Sequence, residues 1–332
     1  MDNKQPLVSV TVITFNSSKT VVETLESIYN QTYPNLELIV SDDCSTDNTV
    51  DICRDWIEAH KDRFVRTELL TVEKNTGVSA NCNRAESACR GEWVKGIAGD
   101  DILLPNCVAD YIGYVKNNPK AICVFGKVVF IGSSNHDHSE YGNLFDYSFF
   151  SLSPEEQLHK LVFERNCIPA ATLFCNLKLL KRIGVEKNDE RIPSLEDWPK
   201  WIRRLQSGVK FDFLDKEVVG YRINSGISNS KHMSLRYFRS MVQFDLLYRY
   251  PVWIQTDEKE GVLRMTDFVC EQYRLRVKAE EEVDRLRKTC AYRLGKALLL
   301  PFSWIRKTLM VLFLFNYLIC AVYEVFNINT CI

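Results

Sequence analysis

The first hundred residues alternate between two periodicities. Leu7 to Phe15 is a short apolar run dominated by β-branched residues, which predicts a buried strand. Asn16 to Ser18 follow as a turn. Val21, Val22, Leu25 and Ile28 then fall at helical spacing within Thr20 to Asn30. The pattern repeats. Leu36 to Val40 and Phe64 to Val72 predict strands, and Thr49 to Ala59 predicts an amphipathic helix between them. Ser79 to Cys89 predicts a third helix, and Trp93 to Ile97 a fourth strand.

Strands that alternate with helices imply an α/β fold, with a mostly parallel sheet covered on both faces. In such sheets ligands bind beyond the carboxyl ends of the strands. Three of the predicted ends are polar: Thr14 to Asn16, Asp42 to Ser45, and Asp100 with Asp101. Three separate segments therefore bring oxygen-rich groups to one edge.

The later chain is more mixed. Cys123 to Ile131 and Val218 to Arg222 predict strands. Glu155 to Phe163, Leu177 to Ile183 and Leu195 to Gln206 predict helices, and Gly132 to Gly142 a loop. The aromatic cluster from Tyr141 to Phe150 suits either an acceptor groove or core packing. Beyond Tyr237, residues Met265, Phe268, Gln272, Leu275, Ala279 and Leu286 follow a three-four spacing, as in a docked amphipathic helix or a longer solvated one. Thr308 to Tyr323 carries no charge and follows Arg293, Lys296, Arg306 and Lys307. This run is shorter than the roughly 20 residues a spanning helix needs. Its basic, aromatic approach, with Trp304, predicts a helix lying in a membrane interface. The other reading is a helix packed on the domain or on another subunit of a homo-oligomer.

Charge and cysteine content narrow the function. The 332 residues have a formal net charge of -1, which argues against a nucleic-acid partner. The 12 cysteines include no Cys-x-x-Cys pair, so they read as reduced, small hydrophobes. Met1 to Ser18 lacks a secretory pattern, making the cytoplasm the expected compartment. His136 and His138 have a spacing that could bind metal, although a solvated polar loop is the simpler account of them.

The acidic pairs carry the chemistry. Asp-Asp in a loop commonly serves a turn or cap. At a strand end, two carboxylates can instead hold Mg²⁺ or Mn²⁺ through hard oxygen ligands. Such a metal would bridge a diphosphate and offset charge as it leaves. Glu196-Asp197 precedes a predicted helix, where an acidic cap is also expected.

Taken in order, the motifs resemble glycosyltransferase family 2 with its GT-A fold. They are Val-Ile-Thr-Phe-Asn (12–16), Ser-Asp-Asp-Cys-Ser-Thr-Asp-Asn-Thr (41–49) and Asn-Thr-Gly-Val-Ser-Ala-Asn-Cys-Asn (75–83). Gly-Glu-Trp-Val (91–94), Gly-Asp-Asp-Ile-Leu-Leu-Pro (99–105), Glu-Asp-Trp (196–198) and Tyr-Arg-Ile-Asn-Ser-Gly-Ile-Ser (221–228) complete the set. The resemblance runs from Val8 to about Ser228. It implies a catalytic domain over 1–235, with a nucleotide-binding half to about residue 104 and an acceptor half from about 105. A helical extension (236–292) and a membrane-associating tail (293–332) would follow.

The resemblance also implies roles. Thr14 and Asn16 fall in the first nucleotide loop, and Asp43, with Asp42 beside it, matches the carboxylate that holds the base. Gly77 and Asn83 match the loop and helix against the nucleotide. Asp100 matches the metal-binding carboxylate, and Asp101 after it is expected to hold the metal with it; Arg222 is a candidate for phosphate contact, with a surface ion pair as the other reading. Asp197 matches the general base, which takes the proton of an attacking sugar hydroxyl. The implied partners are a nucleotide-sugar donor, a UDP-sugar by the family's habit, and a glycan or lipid-linked glycan acceptor at a membrane surface, with a divalent metal (Mn²⁺ or Mg²⁺) as cofactor. The implied reaction inverts the anomeric carbon. Two departures bear on the metal: Ala98 stands where an Asp is common, and Asn224 where a His is common. A nucleotidyltransferase would bring a glycine-rich phosphate loop, which Thr14 to Lys19 lacks. A sugar-nucleotide-binding subunit with a decayed site is the non-enzymatic rival.

Overall fold

The structure is a computed structural model that describes residues 5–132, 144–223 and 235–252, with isolated helical positions at 278, 281 and 285. The chain divides into two compact units, Met1–Glu258 and Lys259–Ile332. Asn224, His136, His138, the spacing from Met265 to Leu286 and the tail from 293 lie outside the described residues. So does most of the loop expected at Gly132 to Gly142.

The alternation read from the sequence forms β1 (Val8–Thr14), α1 (Val21–Tyr29), β2 (Leu36–Asp42), α2 (Thr49–His60), β3 (Arg66–Leu70), α3 (Val78–Ala88) and β4 (Trp93–Ala98). The remainder comprises β5 (Ile102–Leu103), α4 (Cys107–Asn117), β6 (Cys123–Ile131), α5 (Pro154–Phe163), β7 (Phe174–Asn176), α6 (Leu177–Ile183), α7 (Trp198–Gln206), β8 (Phe211–Arg222) and α8 (Leu235–Phe244). A π-helical turn, Asp245–Arg249, continues α8. The helix expected from Leu195 begins at Trp198, because Asp197 caps it and Pro199 occupies its first turn. β8 starts seven residues earlier than its apolar run indicates, through the polar stretch Asp212 to Glu217.

All eight strands join one sheet in the order β3-β2-β1-β4-β7-β6-β8-β5. β1 runs parallel to β2 and β4, and β2 to β3; β7 is antiparallel to β4 and β6; β8 is parallel to β6 and antiparallel to β5. Six strands therefore end at the same edge. The sequence expected three polar ends there, and β8 adds a fourth at Arg222.

Side-chain alternation divides the core. On β4, Trp93 and Ile97 join one cluster with Val8, Val10 and Val12 of β1, Leu25 of α1 and Tyr111 of α4. Val94, between them, joins the other cluster with Phe125, Leu161, Leu180, Trp201 and Phe211. Phe149 and Phe150 pack in this second cluster, with Tyr147 against it, so this part of the aromatic run is core. Cys53, Cys107, Cys123, Cys167 and Cys175 are buried and free, as expected of small hydrophobes.

Candidate active site

The first loop is built by residues that satisfy one another. The Thr14 hydroxyl donates to Asp42 at 2.7 Å, where β1 and β2 pair. Asp42 also accepts from the Ser45 amide at 2.7 Å and the Ser45 hydroxyl at 2.5 Å. Its carboxylate is buried and shapes the turn. Asn16 adopts φ +53°, a left-handed conformation asparagine tolerates well. Its side-chain oxygen accepts from the Thr46 amide at 2.8 Å. With Thr14 turned inward, Phe15 turns outward and is 47% exposed at the edge. An exposed aromatic between inward-facing polar residues offers a stacking face, and the motif reading had not singled it out.

Asp43 clamps the second loop. It accepts from the Thr76 amide at 3.0 Å, the Thr76 hydroxyl at 2.5 Å and the Gly77 amide at 2.7 Å. Arg84 of α3 adds a contact at 3.2 Å. Burial alone would raise its pKa, but these donors outweigh burial and hold the carboxyl below its ordinary value. Gly77 has φ +99°, and an added Cβ would lie 2.6 Å from the Pro193 carbonyl oxygen. That crowding explains glycine at the start of α3. Asp43→Ala is expected to lower stability by about 2–4 kcal/mol, because two backbone amides lose their acceptor. Denaturant unfolding checks this. Because the folded pKa is depressed, Asp43 stabilises fully above its unfolded pKa. That contribution drains as pH falls through the folded one.

α3 also fastens the segment that leads to Asp197. The Ser79 hydroxyl donates to the Ile192 carbonyl at 2.8 Å. The Asn83 side chain donates to Glu190 at 2.8 Å and accepts from the Asn188 amide at 2.7 Å. Asn83 is thus turned into the 188–190 loop, and the structure gives it a positioning place rather than a face toward the edge. α8 crosses the same region. Arg236 donates to Asn75 at 2.5 Å, and the Ser194 amide donates to Ser240 at 3.2 Å.

The adjacent carboxylates Asp100 and Asp101 part company. Asp100 is partly exposed, whereas Asp101 is 4% exposed. Asp101 accepts from the Arg222 amide at 2.8 Å, and the Arg222 guanidinium donates to the Asp100 carbonyl at 2.7 Å and pairs with Glu23. Burial, then the charge of Asp100, pushes the Asp101 carboxyl up to about 7. Lys95 lies fully buried on β4 and donates to the carbonyls of Gly96 (2.6 Å) and Ala171 (2.5 Å). Burial lowers its pKa. Among the described residues no three His, Cys, Asp or Glu side chains converge on a metal position. Ala98, at the end of β4, supplies no ligand. Among the described residues, the turn after β4 supplies Asp100, partly exposed, beside a second carboxylate that faces the backbone. That donor set fits a Mg²⁺ or Mn²⁺ ion held chiefly by diphosphate oxygens and water.

Asp197 combines both readings of its motif. It caps α7, accepting from the Trp198 amide at 2.6 Å. Its second oxygen accepts from the Asn166 amide group at 2.7 Å. Burial raises its pKa against those two bonds. Glu196 beside it is pushed up to about 7, by burial and then by the charge of Asp197. A cap alone would not require a carboxylate in such a setting. A raised, oriented carboxylate is suited to accepting a proton near neutral pH. Asn166 and Tyr237, which complete these surroundings, carried no signal in the sequence.

With this geometry in place, comparisons with known proteins add their weight. The profile of the glycosyl transferase family 2 domain matches residues 9–175, half of the chain. The glycosyltransferase GlyG of Streptococcus pneumoniae is 26% identical over 71% of this chain and 77% of its own. The UDP-Glc:alpha-D-GlcNAc-diphosphoundecaprenol beta-1,3-glucosyltransferase WfaP of Escherichia coli is 25% identical over 70% of this chain and 85% of its own. Among solved structures, S. aureus TarS 1-349 in complex with UDP-GlcNAc superimposes with a TM-score of 0.54, at 21% identity, over 72% of this chain and 66% of that one. The UDP complex of the same protein gives 0.52 over 65% of this chain and 60% of that one. This likeness shows the GT-A fold.

Proposed function

The chain belongs to glycosyl transferase family 2, and from that membership we propose that it moves a sugar from UDP to an acceptor hydroxyl with inversion at the anomeric carbon. The observation that carries the reading is the meeting of two segments. Asp100 and Arg222 lie at the edge where six strands end, and the segment ending in Asp197 is bonded to α3, which starts at that edge.

The roles follow from the surroundings. Phe15 offers its exposed ring to the base, with Thr14 and Asn16 shaping the loop around it. Asp42 and Asp43 act by holding the two loops in register, and Gly77 lets the backbone approach the nucleotide. Arg222 orients the Asp100 turn and faces the diphosphate. A divalent ion bound at Asp100 would offset the charge that develops on the departing diphosphate. Asp197 takes the acceptor proton as the hydroxyl attacks from the opposite face. Uridine is supported by the TarS complexes and by the name of WfaP. Inversion predicts that hydrolysis of an α-linked UDP-sugar first yields the β-anomer, observed by proton NMR before mutarotation. An initial α-product would remove this part of the reading.

The acceptor we propose is a lipid-linked glycan in surface polysaccharide synthesis. The support is the diphosphoundecaprenol-linked substrate in the name of WfaP and the basic, apolar tail of this chain. Among the described residues no helix is long and apolar enough to cross a membrane. We expect the tail to hold the enzyme on the cytoplasmic face as a peripheral protein. Truncation after Arg293 should move it from the membrane pellet to the supernatant. A truncated protein that stays in the pellet would overturn the role of the tail.

A further inference from the structure

The first turn of α7 carries a cation with no part in the roles above. Lys200 lies three residues after Asp197 and four after Glu196, so helical spacing puts it beside them. It is 5% exposed. Its one hydrogen bond among the described residues goes to Glu86 of α3, at 3.4 Å. The other Glu86 oxygen is buried without a partner among those residues. As a source of stability this is a poor arrangement. A buried ion pair with long geometry and unmet oxygens repays its desolvation badly, and apolar residues would serve the fold as well.

The surroundings say what the charge accomplishes. α3 contributes Cys82 and Glu86, the residues ahead of α7 contribute Glu196 and Asp197, and α8 contributes Tyr237. Burial and the nearby carboxylates push the Cys82 thiol and the Tyr237 hydroxyl up, so both are neutral. Asn166 is uncharged. Arg249, whose guanidinium lies 5.4 Å from the Trp198 ring centroid, is paired with Asp245 at 3.0 Å. The buried Arg204 guanidinium of α7 adds positive charge at Glu86, so among the described residues Lys200 is the cation beside Glu196 and Asp197. Lys200 opposes the rise that burial imposes on both, and without it the pair would hold its proton to higher pH, as close carboxylates do.

We propose that Lys200, anchored by Glu86, is a positioning residue that keeps Asp197 charged and ready to accept the proton of the incoming hydroxyl. The proposal rests on the reading of Asp197 as the base. Its test separates the two. Thermal midpoints of the full chain are measured at pH 5 and pH 8 for wild type, Lys200→Met and Lys200→Arg. The carboxylate pair has a raised folded pKa, so charging it as pH rises costs stability, and Lys200 offsets that cost. At pH 5 the pair retains a proton and gains little from the cation. Lys200→Met should therefore lose about 3–5 °C more at pH 8 than at pH 5, the effect of one pKa unit in a domain of this size. In the same variant the acid limb of UDP release from UDP-glucose or UDP-N-acetylglucosamine should move up by about one pH unit, with the rate recovered at high pH. Lys200→Arg should restore both. An equal midpoint loss at the two pH values would mean that Lys200 merely packs, and would overturn the proposal while leaving Asp197 as the base. Full transfer by Asp197→Asn would remove the base, and this proposal with it, even if the pH-dependent midpoint difference remained.

Discussion

Asp197→Asn is expected to slow transfer to an acceptor by about 10²–10⁴-fold, the span general-base groups contribute. The substitution is nearly isosteric. Asparagine also caps helices well, so the bond to the Trp198 amide persists and the fold should hold. What disappears is the capacity to take a proton, together with the oxygen that accepts from Asn166. Donor binding should be unchanged, which calorimetry with UDP can establish. The pH dependence provides a second check. The base must be ionised to act, and burial raises its pKa, so kcat/KM should begin to fall with decreasing pH above the ordinary carboxylate range. A variant that transfers sugar to membrane acceptors at near wild-type rates would remove Asp197 from this role.

Asp100→Ala is expected to reduce donor turnover by about 10²–10³-fold or more, because charge on the departing diphosphate would lose its counterpart. Chelation of divalent ions should mimic the substitution in the wild-type enzyme and add little in the variant. The neighbouring carboxylate should behave differently. Asp101 accepts from the Arg222 amide inside the protein, so Asp101→Ala should show chiefly as lost stability. If Asp100→Ala kept its turnover and metal response while Asp101→Ala lost both, the two assignments would be exchanged.

That contrast shows where sequence reading stops. The first hundred residues were legible because their strands are β-branched runs and their helices carry apolar residues at three-four spacing. Those signals come from burial, and burial decides β1, β2 and β4. The short strands β5 and β7 lacked enough residues to show a period. The start of β8 was concealed because four of the six residues from Asp212 to Glu217 are charged and show no apolar alternation. At the candidate site, the motifs fall at one edge of the sheet but do not give the direction each side chain takes. Asp42, Asp43, Asn83 and Asp101 all lie where polar chemistry was expected, yet each is bonded to the protein's own loops. A carboxylate that orders a loop and one that meets a ligand have the same letter in the sequence. Lys95 and Lys200 were invisible for the opposite reason, as lysines ordinarily lie on the surface.

The measurement closest to the central claim is release of nucleoside diphosphate from a panel of sugar nucleotides, with Mg²⁺ or Mn²⁺, by the wild-type chain and Asp100→Ala. The account predicts metal-dependent release of UDP from one donor of the panel, lost in the variant. No release from any donor, together with no donor binding by calorimetry, would contradict it and leave a glycosyltransferase fold without a working donor site.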